Sequence, residues 1–190
     1  MTLSESIDEM AWFEQALLAL EKSGPTGRAS AAFIRQRRVV LGFSCQSTTG
    51  AAWFDWRRWW LVWPRGGVFL NTDYAIGDPD DPRLYALIAH EAEHLRQGVH
   101  EALSVRGELL AWQLHDDVLT EASAASSAPL WEELRSLAPD SRADLERARQ
   151  IMRHLAGPRY RIHWLPLYPL GKEMAYRFRH IFCPNGPVNS

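Results

Sequence analysis

The segment Leu87-Ile88-Ala89-His90-Glu91-Ala92-Glu93-His94-Leu95 sets two histidines four residues apart, with a glutamate directly after the first. On a helix a four-residue step turns about 400°, so both imidazoles leave the same face and can grip one metal ion. Glu91 then falls beside the open coordination position, where it can take a proton from a bound water. Leu84, Leu87, Ile88 and Leu95 supply the apolar surface that buries the rest of this helix. With seven histidines in 190 residues, a shuffled chain shows H-E-x-x-H only about 2 % of the time, so the pattern carries weight before its helical context is added.

Outward from this helix the chain reads as an α+β unit. Residues 4–22 have apolar positions near helical spacing and predict an amphipathic helix, broken by Ser23-Gly24-Pro25-Thr26-Gly27. Residues 28–72 change to short β-branched and aromatic runs between turn signals. They predict strands over 39–45, within 52–63 and over 68–71, with a turn at 47–50 and a hairpin at Pro64-Arg65-Gly66-Gly67. Pro82 suits the first turn of the central helix, 84–97, and Gly98 suits its end. Further helices are predicted over 103–121, 129–137 and 140–155. Residues 158–190 form an irregular tail with five prolines. Nothing divides the chain, so residues 1–190 are read as one domain with a small, mostly antiparallel twisted sheet.

Composition excludes several classes. Lys plus Arg number 21 and Asp plus Glu 23, for a net charge of −2, and 46 % of residues are hydrophobic. That describes an ordinary globule, neither a disordered chain nor a polybasic binder. The total hides an asymmetry: residues 28–65 carry seven arginines against Asp55, whereas 66–146 carry sixteen acids against five arginines. An acidic helical half suits cation binding. Two cysteines, Cys45 and Cys183, make neither a disulfide framework nor a C-x-x-C pair. An acidic, polar start without a signal-like apolar stretch, and no apolar run near 18 residues, predict a cytoplasmic protein with no membrane role.

The H-E-x-x-H segment resembles the active-site helix of the zincin metallopeptidases, tightly over about nine residues and in layout over roughly 60–120. The resemblance implies a Zn2+-dependent peptidase acting on a peptide or protein substrate, with residues 68–71 as the edge strand that holds extended substrate. His90 and His94 would ligate the metal and Glu91 would serve as general base. A catalytic zinc site usually takes three protein ligands and one water. In the gluzincin branch the third is a Glu on a following helix. Glu108 fits, lying fourteen residues after His94 between apolar neighbours that make an unpaired carboxylate costly. In the metzincin branch it is a His ten residues after the first, which His100 satisfies, although Gln97 stands where that branch has Gly. Glu108 is preferred, and the compact size is most similar to the minimal gluzincins.

His115, two helical turns after Glu108, is a candidate to orient a ligand or steady an oxyanion. Asp116 and Asp117 are candidate acceptors for a ligating imidazole. Tyr74, His163 and Tyr168 are candidate transition-state donors by residue type only. Two other readings compete: an inactive zincin-like domain that binds metal for structure or regulation, and a nucleic-acid or peptide-binding module. The module would rest on Trp53, Trp56, Trp59, Trp60 and Trp63 with Arg57, Arg58 and Arg65. Tryptophans so spaced more often fill one face of a small sheet, so nucleic acid ranks last.

Overall fold

The chain begins with two helices where the turn signals around Gly24 suggested one followed by strands. The computed structural model describes residues 3–45, 50–54, 66–157, 160 and 162–175. Helix α1 (Leu3–Ser23) matches the amphipathic stretch, but only Gly24 separates it from α2 (Pro25–Arg37). Pro25 stands at the first helical position, where its missing N–H costs nothing. The residues after it are largely Ala, Arg and Gln, good helix formers. Gly24 offers α2 no side-chain cap; the Glu121 carboxylate supplies one from across the fold, accepting from the Thr26 and Gly27 amides at 3.0 and 3.3 Å. Burial opposes the charge of Glu121, yet these amides and Arg28 hold its carboxyl below the usual range.

The sheet has three strands: β1 (Val40–Ser44), β2 (Gly50–Phe54) and β3 (Gly66–Asn71), in the order β1-β3-β2. It is mixed, not mostly antiparallel. β2 pairs antiparallel with β3, as a hairpin reading requires, but β1 pairs parallel with β3 along Val40↔Gly67 to Ser44↔Asn71. Residues 68–71 therefore lie in the central strand, not at an edge, and Gly66 and Gly67 belong to that strand and not to a turn. Val68 and Leu70 are fully buried, as suits a strand paired along both of its edges. Glu9 ties α1 to the sheet by accepting from the Phe43 amide at 2.6 Å. The expected turn at 47–50 and most of the tryptophan run (Trp56, Trp59, Trp60, Trp63) lie outside the described residues.

Helix α3 (Pro82–Gln97) carries the H-E-x-x-H pattern. Asp81 caps it, and it ends at Gly98, whose φ of +77° is a conformation that side chains other than glycine disfavour. A short helix, α4 (Val99–Ala102), leads to α5 (Val105–Glu121), capped by Ser104; α6 (Pro129–Ser136) and α7 (Arg142–Ala156) follow. A 3-10 turn (Ile162–Trp164) and a helical turn over 170–175 give part of the expected tail some regular structure.

Two apolar cores flank the central pair α3 and α5. One joins α1, α2, the sheet and α3, with Phe13, Leu20, Ile34, Leu70, Ile88 and Val118 inside it. The other joins the start of α5 to α7 and the segment beyond, around Leu109, Leu145, Ile151 and Ile162. Helix α5 contributes to both, and its long contact with α3 fixes the floor between them. The result is an α+β fold. Among the described residues, no helix is long and apolar enough to cross a membrane.

Candidate metal centre

Helix α3 is buried on nearly every side: Leu84–Ala86 and Ile88–His94 are all inside. Four polar side chains, His90, Glu91, Glu93 and His94, are thus taken from water and need partners. Two of them find one on α5. Oε2 of Glu108 lies 3.9 Å from Nε2 of His90 and 3.7 Å from Nε2 of His94. One ligand atom from each of the three residues lies within 4.8 Å of the others, and no other such cluster occurs among the described residues. With metal–ligand bonds of about 2.0–2.1 Å, tetrahedral zinc needs donors about 3.4 Å apart, so the two Glu108–imidazole distances would close by a few tenths of an ångström and no pair by more than about 1.4 Å.

Each ring is held from behind. His90 donates to the backbone carbonyl of Ala111, and His94 Nδ1 meets Oε1 of Gln97 at 3.4 Å. Gln97 in turn donates to the carbonyl of Gly107 at 3.0 Å, tying the end of α3 to the turn that precedes Glu108. Such contacts fix ring orientation and tautomer, leaving Nε2 to face the cluster. Burial, reinforced by the neighbouring His94 and His115, pushes the His90 imidazole well below its ordinary pKa. A neutral ring keeps the lone pair that a metal requires.

Glu91, which follows His90 on α3, is buried. His100 sits exposed on α4, outside the cluster, so the metzincin-type alternative gains nothing from the fold. His115 packs against the site without entering it. Its ring is 6.0 Å from that of His90 and stacks on Trp131 at 6.1 Å, and desolvation lowers its pKa to about 4. Asp116 is not an acceptor for an imidazole. It is fully buried in a two-pronged ion pair with Arg135, and Asp117 faces outward. Tyr74 packs beside the first core, Tyr168 donates to the Asp140 carbonyl and His163 is exposed, so none of these three reaches the cluster.

Tyr160 does reach it, and nothing in Gly157-Pro158-Arg159-Tyr160 singled it out. Its hydroxyl donates to Oε2 of Glu108 and accepts from the Trp112 indole at 3.2 Å. Burial and the Glu108 charge push its pKa well above 10. A cleft of about 510 Å³ between α2, α3 and α5 includes Glu93, Arg96, Gln113 and Asp117 but no cluster residue. The cluster therefore lies apart from that cleft. No protein-family model matches the chain, and neither a curated protein nor a solved structure is detectably similar to it.

Proposed function

We propose that the protein is a zinc-dependent metallopeptidase with a zincin-like catalytic unit, in which His90, His94 and Glu108 hold the metal and Glu91 is the general base. The observation that carries this reading is the convergence of Glu108, from a separate helix, on two imidazoles that share one face of α3. The donor set of two imidazole nitrogens and one carboxylate is that of a three-ligand catalytic zinc site with a position left open. Zinc bound there would supply a Lewis acid that makes water a nucleophile near neutral pH.

The chain's own residues supply the rest. Glu91, buried next to His90, accepts the proton of the attacking water and returns it to the departing amine. Its low exposure keeps the transfer out of bulk water. Among the described residues β2 is the outer strand on one side of the sheet and packs against α3, so it takes over the role of substrate-holding edge first expected of 68–71. Extended peptide backbone pairs naturally with such an edge. Glu91 also speaks against a purely structural metal site, which has no use for a base.

The test is incubation of the zinc-loaded chain with a degenerate peptide mixture, read by mass spectrometry. Cleavage that is stopped by a chelator and restored by zinc is the expected result. A chain that holds zinc and cleaves nothing would instead support metal binding for structure or regulation.

A further inference from the structure

Glu108 is the least constrained member of the cluster by its own helix. The two histidines are fixed by groups on neighbouring backbone and side chain, whereas a glutamate has three rotatable bonds and loses rotamer freedom when held. It sits near the start of α5, in the first turn after the Ser104 cap. What holds its carboxylate comes from the far end of the described chain.

Helix α7 ends at Gly157, whose φ of +81° turns the chain back, and the Tyr160 amide donates to the Gly157 carbonyl at 3.1 Å. The segment then runs along the start of α5. The carbonyls of Pro166 and Leu167 accept from the amides of Val105 and Arg106 at 2.8 and 3.0 Å. Those two amides are among the four that a helix start leaves without intrahelical partners. The same segment thus secures the first turn of α5 by its backbone and Glu108 by the Tyr160 hydroxyl.

The direction of the second contact is forced. An indole N–H can only donate, so Trp112 takes a lone pair of the phenol oxygen and leaves the phenol proton for Glu108. Trp112 is four residues after Glu108 on the same helix, one turn away. The chain of hydrogen bonds from Trp112 through Tyr160 ends on Oε2 of Glu108, the oxygen turned toward both imidazoles. A carboxylate oxygen has a second lone pair, so accepting this bond leaves it able to ligate.

We propose that Tyr160 is a positioning residue for the third metal ligand: its hydroxyl fixes Glu108 with Oε2 aimed at His90 and His94, and zinc affinity depends on it. This rests on the metal-site reading above. The segment after α7 is then a working wall of the centre and not a loose tail.

The experiment measures zinc affinity of the full chain by competition with a chromophoric chelator, for the wild type, Tyr160→Phe and His90→Ala, with thermal unfolding of each metal-free form. Removing a partner of a metal ligand typically weakens binding about ten- to a hundred-fold. Tyr160→Phe should fold, still bind one zinc, and bind it at least about ten-fold more weakly. A role confined to packing would lower metal-free stability and leave affinity alone. Wild-type or tighter affinity in Tyr160→Phe overturns the proposal while leaving the metal site standing. Absence of His90-dependent zinc binding in the wild type overturns both. Should Tyr160→Phe fail to fold, Trp112→Phe decides: it frees the phenol proton to turn away, so weakened zinc binding supports the proposal and unchanged binding overturns it.

Discussion

Oε2 of Glu108 lies 3.7 Å from Nε2 of His94, although a helix end, a short helix and a fresh helix cap separate the two residues in the chain. The approach exists because α5 folds back along α3, with Gln97 bridging His94 to the Gly107 carbonyl. It makes the identity of the third ligand testable. Metal analysis of the purified chain should find about one zinc, lost in His90→Ala and Glu108→Ala and kept in His100→Ala. Retention in Glu108→Ala with loss in His100→Ala would reverse the choice of ligand.

Gly107 is a second check on the same turn. A Cβ there would lie 2.1 Å from the Glu101 carbonyl oxygen and 2.9 Å from Oε1 of Gln97. Replacing a helical glycine by alanine normally gains up to about 1 kcal/mol, whereas forcing atoms into packed backbone costs about 1–3 kcal/mol. Gly107→Ala should therefore lose stability by about 1–2 kcal/mol in urea unfolding and also weaken zinc binding. A stabilised variant would show that this approach of α4 to α5 is looser than described.

The ion pair of Asp116 with Arg135 is asymmetric. The Asp116 side chain is 2 % exposed and that of Arg135 36 %. Removing the cation strands a buried charge, a loss of about 3 kcal/mol or more, whereas removing the anion leaves an arginine that water can reach. Arg135→Met should destabilise by roughly 3 kcal/mol and Asp116→Asn by about 1 kcal/mol. Equal losses would mean that Asp116 is rehydrated when Arg135 is gone.

Acid should weaken the metal-free fold through its desolvated imidazoles. His115 has its pKa lowered to about 4 by desolvation, and His90 is held well below its ordinary value by burial and its histidine neighbours. The unfolded chain takes up these protons near pH 6.5 and the folded chain does not. Their contribution is therefore complete above about pH 6.5 and is lost as pH falls below it, for His115 at about 1.4 kcal/mol per pH unit down to about pH 4. Urea unfolding in chelator at pH 7.5 and 5.5 should show a smaller loss in His115→Gln than in the wild type. The same loss in both would contradict a neutral, desolvated His115.

The helix that carries His90, Glu91 and His94 was legible because the i, i+4 placement of two side chains on one face is a local property of one helix. The apolar neighbours of Glu108 marked it as a carboxylate in need of a cation. Strand order was not legible: turn signals speak for β2 beside β3, but nothing local says that β1 joins the other side of β3 in parallel. Helix α2 was hidden by the Gly24-Pro25 break, which ended one helix and started another. Tyr160 could not be read at all, since its role comes from where α7 and the turn at Gly157 deliver it.

The most direct test of the account changes one atom of the proposed base. Glu91→Gln keeps the size of the side chain and removes its ability to take a proton. Zinc content and cleavage of a degenerate peptide mixture should be measured together for this variant and the wild type. The account predicts about one zinc per chain in both, with cleavage by the wild type and a loss of at least about a hundred-fold in the variant. Equal cleavage by the two zinc-loaded proteins would contradict it.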